Sequence, residues 1–379
     1  MKLITESGPL LEAQACIQNS PWASLDTEAD SLHHYIEKLC LMQVSIPGED
    51  YVIDPLGALD LGPLVRILEK KELLLHGADF DLRILKRFYQ FSPPSVFDTM
   101  IAAQLLGYEK QGFADLAEKH CGVKLSKKAQ RADWSERPLS QELLTYAAND
   151  THYLRLIADK IKEELAAAGR LEWHRQFCER MTQSALAEKE AKSVAGLEWQ
   201  IKGAKDLNPK ALTILRELWN WREEEARRRD RPTFKILHSD TLVQIAEWSS
   251  NQALTDVAEL PKAPRNIKRD YRDVLNQTLA KARTLAPTEY TAKKPEHGKR
   301  RWTNKAETLL KALKEEREKL AKELKVQPSL LATNYVLEEF SSGVPAGKQE
   351  MARADLLMPW QVEVIGESFL KILHPKVSG

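Results

Sequence analysis

Asp26 and Glu28 stand two residues apart in Leu25-Asp26-Thr27-Glu28, on a short apolar run, and Asp81 and Asp150 follow far downstream, with Tyr146 four residues before the last. Side chains alternate faces along an extended strand, so Asp26 and Glu28 point one way while Leu25 and Thr27 point the other. Two neighbouring carboxylates repel each other unless a cation sits between them, and all-oxygen clusters suit the hard ions Mg²⁺ and Mn²⁺. Four carboxylates and a phenol at these spacings are the equipment expected of a nuclease.

These side chains need particular elements beneath them. Asp81 lies just past the apolar Leu73-Leu74-Leu75-His76 and opens the helical pattern Leu82, Ile84, Leu85, Phe88, which places it at a strand-to-helix junction at the sheet's edge. Tyr146 and Asp150 share one side of a helix predicted over Ser140 to Leu165 from Leu143, Leu144, Ala147, Tyr153, Leu154 and Ile157. Ser140 after Pro138 is a suitable N-cap, and Glu142 falls in the favourable first turn. Each residue also has a plain structural reading. A D-x-E pair on a strand edge can simply face solvent, Asp81 can be a first-turn acid held by the helix dipole, and Tyr146 can fill core with a wet hydroxyl. Their joint occurrence in one order favours chemistry.

From about Pro21 to Leu165 the chain resembles the DEDD exonuclease domains, and within them the ribonuclease D group. The matching segments are Leu25-Asp26-Thr27-Glu28, Leu41-Met42-Gln43-Val44, Ile53-Asp54-Pro55-Leu56, His76-Gly77-Ala78-Asp79-Phe80-Asp81, Phe97-Asp98-Thr99, Asp133-Trp134-Ser135-Glu136-Arg137-Pro138-Leu139 and Tyr146-Ala147-Ala148-Asn149-Asp150. The first and last carry the family's first and third motifs. Asp81 aligns with the acid of the second motif, whereas Asp79 falls two residues early. Tyr146 places the chain in the tyrosine branch, and no motif residue is missing.

Composition is compatible with this. A chain of 379 residues with 43% hydrophobic residues can build two or three cored domains. No apolar stretch approaches the roughly 20 residues a membrane helix needs, and a secretory signal pattern is lacking, so a cytoplasmic protein is expected. Cys16, Cys40, Cys121 and Cys178 are scattered without a C-x-x-C pair, which argues against a zinc site or a disulfide framework. The overall charge of +1 conceals an asymmetry. Residues 1 to 190 carry roughly seven net negative charges and the remainder roughly eight positive, so the second half is expected to attract a polyanion that the first half would cut.

That second half reads as helical and repeated. Asn208-Pro209 starts a helix whose face runs Leu212, Leu215, Trp219, Arg222 and ends in Arg227 to Arg231. About ninety residues later Leu309, Leu313 and Leu320 repeat the pattern, and Ile236 to Leu242 corresponds to Leu330 to Val336. Both copies resemble the helicase-and-RNase-D C-terminal (HRDC) domain. Such a repeat reads as a module added to a complete fold. Ala286 to Asn304, rich in Lys, Arg, Pro and Thr and including Lys293, Lys294, Lys299, Arg300 and Arg301, reads as an exposed linker. The arginine run is either an RNA contact or a cluster favoured by the helix dipole.

The expected architecture is an α/β RNase H-like exonuclease domain, a mixed sheet with flanking helices, over residues 1–190. An HRDC domain at 205–288, a linker at 289–304 and a second HRDC-like helical domain at 305–379 follow. Strands are expected at Trp22 to Glu28, Lys38 to Ile46, Tyr51 to Ile53 and Leu73 to His76. The resemblance implies that Asp26, Glu28, Asp81 and Asp150 hold two Mg²⁺ or Mn²⁺ ions about 4 Å apart. In that scheme Asp26 bridges the ions, Glu28 and Asp150 complete one site and Asp81 serves the other. Tyr146 positions the attacking water. Thr27, Gln43, His76, Lys127, Lys128 and Arg131 are candidate substrate contacts, with Lys124 in the same basic cluster; Gln43 and His76 also read as satisfied polar residues beside a buried strand. The implied activity is 3′-to-5′ exoribonuclease trimming of tRNA precursors and other structured RNAs by a monomer, releasing nucleoside 5′-monophosphates. A free-standing DNA exonuclease and a non-catalytic RNA-binding scaffold are the alternatives.

Overall fold

The computed structural model describes residues 1–57, 59–187, 196–252, 256–291 and 303–375. The linker basics Lys293, Lys294, Lys299, Arg300 and Arg301 lie outside these. The chain divides into two units, one of Met1–Ala29, Leu39–Ala187 and Lys299–Gly379, the other of Asp30–Lys38 and Glu188–Gly298.

The first unit is built on a six-stranded sheet of order β1-β4-β3-β2-β5-β6, formed by β1 (Lys2–Ile4), β2 (Trp22–Ala29), β3 (Leu39–Ile46), β4 (Glu49–Ile53), β5 (Glu72–Leu75) and β6 (Phe97–Asp98). β2, β3 and β4 are antiparallel, β5 and β6 continue parallel to β2, and β1 pairs parallel with β4. β3 is buried along its whole length, so its hydrophobic run carries little alternation. β1 and β6, at three and two residues, are too short to show a period and were not among the expected strands.

Helices α1 (Ser7–Asn19), α2 (Gly62–Leu68), α3 (Asp79–Tyr89), α4 (Thr99–Leu105), α5 (Phe113–Cys121), α6 (Gln141–His152), α7 (Leu154–Ala167) and α8 (Leu171–Leu186) surround the sheet. The single helix expected from Ser140 to Leu165 is two, broken at Tyr153. Ser140 caps α6 as expected, its side chain accepting from Leu143 N. At the other end, Thr151 Oγ1 meets Ser45 Oγ at 2.8 Å and His152 Nδ1 meets Asp50 Oδ2 at 2.8 Å. These contacts hold the end of α6 on the β3–β4 hairpin, while α7 packs against β5, α4 and α5. Apolar periodicity continues through such a break, which is why the sequence pattern did not reveal it.

The remaining helices form two copies of one design: α9 (Pro209–Arg229), α10 (Thr233–Ile236), α11 (Ser239–Ser250) and α12 (Arg272–Thr284), then α13 (Asn304–Leu324), α14 (Pro328–Leu331), α15 (Asn334–Ser342), α16 (Lys348–Arg353) and α17 (Pro359–Leu373). The correspondence extends to single hydrogen bonds at a constant offset of 95 residues, which shifts by one residue the expected pairing of Ile236 to Leu242 with Leu330 to Val336. Asn208 and Thr303 cap the long helices through their side chains, and Asp230 and Lys325 end them in the left-handed conformation. Buried Arg222 donates to Leu237 O and Ser239 Oγ, as buried Arg317 donates to Ala332 O and Asn334 Oδ1. Each guanidinium ties the long helix to the carbonyl that ends the short second helix, where carbonyls lack helical partners, and to the side chain that opens the third.

The first copy has its own core, with Tyr35 of the Asp30–Lys38 segment packed on it. The second copy shares a hydrophobic core with the six-stranded sheet, so in this unit the module is not a separable addition. Trp360 stacks on Trp173 of α8 at 4.3 Å, and Trp360 N donates to Gln176 Oε1. Arg170 donates to Leu105 O at the end of α4 and to Leu324 O at the end of α13, a cation placed where two helix dipoles end negative. Gly107, at φ +74°, approaches so closely that a Cβ would collide with Lys325 O. The expected linker is also partly anchored: Thr213 Oγ1 accepts from Thr288 N and donates to Ala286 O.

Candidate active site

The candidate residues meet where α6 crosses β2 and β3. Asp26 on β2 is paired with Gln43 on β3, and Glu28 with Leu41; the register then slips between Glu28 and Ala29. Irregularities of this kind re-aim side chains at strand ends. α6 packs on β2, β3 and β4 and brings Tyr146 and Asp150 to this corner. Asp26, Glu28 and Asp150 can each offer one oxygen such that all three lie within 4.8 Å of one another.

Asp81 enters from the first turn of α3 and is 5% exposed. Thr27 Oγ1 donates to its Oδ1 at 2.5 Å, so Thr27 is occupied with an acid rather than open to a substrate. Asp79 instead pairs with Arg83 on the exposed side of the helix. The turn entering α3 is fixed by a residue to which the sequence pattern assigned no role. Buried Asp98 accepts from Gly77 N, Ala78 N, Met100 N and Ile101 N, holding the starts of both α3 and α4. Its signal was present in Phe97-Asp98-Thr99, an aspartate directly before a helix. Arg137 has a similar role: it grips Asp54 through two nitrogens and donates to Cys40 O and Trp134 O, pinning the Trp134 loop to the sheet. Trp134 in turn lies 6.0 Å from the Tyr146 ring.

Electrostatics at this corner are strained without a counter-ion. Burial, then repulsion from Asp150, raises Asp26 well above the usual carboxylate range. Burial, then Asp26, raises Asp81 likewise. Glu28 is pushed up to about 10 by burial and by Asp26, Asp150 and Asp81 in turn. Asp150 is raised to about 7 by burial, against the hydrogen bond from Tyr146. The Tyr146 hydroxyl is held well above the ordinary phenol range by burial and by Asp150, Glu28 and Asp26. A divalent cation removes the conflict among the acids, and a donor set made entirely of carboxylate oxygens suits Mg²⁺ or Mn²⁺.

Beside Tyr146 and Asp150 a cavity of about 270 Å³ opens between α6 and the loop carrying Leu125, Ser126 and Ala129. The basic cluster flanks it unevenly. Lys124 pairs with Glu118 and Lys127 with Asp115, while Lys128 and Arg131 bound a short exposed 3-10 turn. Gln43 is 0% exposed and offers no surface to a substrate, contrary to the expectation from its motif. His76 is half-buried, with Nδ1 on Thr99 Oγ1 and its ring against Phe113.

Comparison with known proteins matches this geometry to a family. Residues 1–166 match the model of a 3′-5′ exonuclease, and residues 211–263 and 306–373 match the HRDC domain. Ribonuclease D of Pseudomonas paraeruginosa is 30% identical over 372 residues, spanning 96% of this chain and 95% of its own length. Ribonuclease D of Sphingobium indicum is 30% identical over 99% of this chain and 95% of its own. The crystal structure of Escherichia coli RNase D, 24% identical, shares the fold with a TM-score of 0.69 over 98% of both chains. The fold, the acidic corner and the end-to-end likeness agree: this chain belongs to the ribonuclease D family and is a hydrolytic 3′-to-5′ exoribonuclease.

Proposed function

We propose that this exoribonuclease trims the 3′ ends of tRNA precursors and other structured RNAs in the cytoplasm, as a monomer, releasing nucleoside 5′-monophosphates. The observation that carries the reading is the convergence of Asp26, Glu28 and Asp150 within 4.8 Å beside Tyr146, with Asp81 held by Thr27 at the same corner. Asp26, Glu28, Asp81 and Asp150 would hold two divalent ions, Mg²⁺ or Mn²⁺. When bound, such ions lower the pKa of water and stabilise the charge of a departing 3′ oxygen.

The chain's own groups do the rest. The Tyr146 hydroxyl keeps its proton, donates it in a hydrogen bond to Asp150 and leaves an oxygen lone pair to accept from the attacking water. It therefore orients rather than deprotonates. The terminal nucleotide is taken to occupy the cavity beside Tyr146 and Asn149, with Lys128 and Arg131 toward the phosphates and Lys127 reaching them at the expense of its pair with Asp115. The domain limits that go with this reading are 1–190 for the nuclease, 205–288 and 305–379 for the two HRDC domains, and 289–304 for the linker.

The deciding experiment is a time course on a 3′-extended tRNA precursor with Mg²⁺, run beside a matched single-stranded DNA. Stepwise shortening of the RNA with nucleoside 5′-monophosphate as product is expected. Equal rates on DNA, or release of dinucleotides or 3′-phosphates, would overturn it.

A further inference from the structure

Three buried polar atoms on one patch of the sheet have no hydrogen-bond partner: Ser24 Oγ and both amide atoms of Gln43, Oε1 and Nε2. Ser24 and Gln43 are each 0% exposed. Burying an amide without partners costs free energy, and an apolar side chain of the same length would avoid that cost. Gln43 therefore adds nothing to the fold that Leu or Met would not. Departures of this kind from local consistency are expected where function imposes them.

The pairing register says which function. Asp26 is directly opposite Gln43, and Ser24 is opposite Ser45, two positions along and so on the same face. Directly opposed residues have Cβ atoms about 4.5–5.5 Å apart, and diagonal ones remain within reach of a long side chain. Within these two register pairs the remaining polar side chain is already engaged, since Ser45 Oγ is shared with Thr151 Oγ1 and donates to Asp50 Oδ1. The partner left for the Gln43 amide N–H is the Asp26 carboxylate, and the partner left for its oxygen is the Ser24 hydroxyl.

We propose that, when the corner holds a divalent ion, Ser24, Gln43 and Asp26 close into a hydrogen-bonded row beneath it in which Gln43 is a positioning residue for Asp26. Ser24 O–H donates to Gln43 Oε1, and Gln43 Nε2–H donates to the inner oxygen of Asp26. That bond fixes the rotation of the carboxylate, so that its outer oxygen faces Glu28 and Asp150. The inference rests on the proposed role of Asp26 as a metal ligand. Residues that orient ligands in this way typically contribute about ten- to a hundredfold to metal affinity or activity.

The test uses Gln43→Leu and Gln43→Met in the full chain, with Asp26→Asn as reference. Three quantities are read: kcat and KM on a single-stranded oligoribonucleotide, Mn²⁺ affinity by titration calorimetry, and the melting temperature in EDTA. Expected are a kcat lower by about ten- to a hundredfold with KM unchanged, Mn²⁺ binding weaker by about tenfold, and a melting temperature equal to wild type or higher. In the Asp26→Asn background, Gln43→Leu should weaken Mn²⁺ binding no further, because the carboxylate it positions is gone. Wild-type kcat and Mn²⁺ affinity in either folded variant would overturn the proposal. So would a melting temperature lowered in both variants with catalysis intact, or an equal loss of Mn²⁺ affinity in the Asp26→Asn background. Full activity of Asp26→Asn itself would instead overturn the reading of the site, a result separate from these.

Discussion

Two regions of the first unit are assembled by opposite rules. At the corner under α6, four carboxylates crowd together, each raised by burial and by its neighbours, and the Gln43 amide beneath them is unpartnered. Where the second helical copy meets the sheet's helices, contact is dense and apolar: Trp360 stacks on Trp173, Phe177 lies beside it, and Gly107 leaves room for a backbone carbonyl. The first region spends stability to concentrate charge, and the second supplies it. A duplicated domain in such a chain can thus serve the reaction without approaching it, by holding rigid the scaffold on which a repelling cluster is mounted.

Changes at the two regions should move activity and stability in opposite directions, and the largest effect is expected at the acids. Asp26→Asn and Asp150→Asn should each lower turnover by about a thousandfold or more, while raising the melting temperature in EDTA, since each removes a repelling charge at nearly constant volume. Retention of more than about a tenth of the wild-type rate, under roughly 1.4 kcal/mol, would sink the assignment. Trp360→Ala is the mirror image: a loss of about 3–5 kcal/mol in stability with near-normal turnover per folded molecule. Denaturant titration measures it, and a loss below about 1 kcal/mol would show that the second copy is an accessory after all.

Tyr146→Phe lies between these extremes. If its hydroxyl orients water as proposed, removing it should lower kcat about a hundredfold with KM little changed, and an unchanged kcat would reduce Tyr146 to packing against Trp134. A smaller effect concerns pH. In metal-free protein the four acids have folded-state pKa values above the unfolded ones, near 4, with Asp150 at about 7 and Glu28 at about 10. The folded state then binds more protons than the unfolded state above about pH 4, so stability falls as pH rises. The melting temperature in EDTA should decline from pH 6 to 9, less steeply in Asp150→Asn, and the gain on adding Mg²⁺ should grow over the same range. A flat profile would mean that the acids are not in conflict.

Much of this corner is legible in the residue pattern itself. Alternation puts Asp26 and Glu28 on one face, helical spacing puts Tyr146 above Asp150, and Asp81 rather than Asp79 turns inward because the apolar stripe of α3 runs through Leu82 and Leu85. The helical repeat was legible because Leu309, Leu313 and Leu320 restate the apolar face of the first long helix and the segments that follow the two helices correspond. What the sequence concealed was tertiary. No local pattern shows that Tyr153 interrupts a helix, that Gln43 is wholly buried opposite Asp26, or that residues 30–38 join the first copy while the second joins the sheet. Those outcomes depend on which surfaces meet, and the hydrophobic period along one element is blind to its partner.

The last and smallest effect concerns the arginine run of the first copy. If helical parts contribute packing rather than charge, Arg227 to Arg229 should matter little to RNA. Arg228 donates to both oxygens of Glu225, Arg229 pairs with the same carboxylate and lies over Tyr271, and Arg227 lies over Tyr35. Their position at the end of α9 is independently favoured by the helix dipole. Exposed pairs of this kind are weak, about 0–1 kcal/mol, so the pairing alone does not keep these side chains from RNA. The expected result for Arg228→Glu with Arg229→Glu is a tRNA affinity within about threefold of wild type and a salt dependence changed by less than one phosphate contact. Lys127→Glu with Lys128→Glu, beside the nuclease cavity, should cost about tenfold or more and lower the slope of log affinity against log salt by about one to two. Filter binding across a salt series reads both. If the arginine pair proved the costlier change, the first copy would be the grip on RNA, and the division between a charged corner and a packing scaffold would hold for the second copy alone.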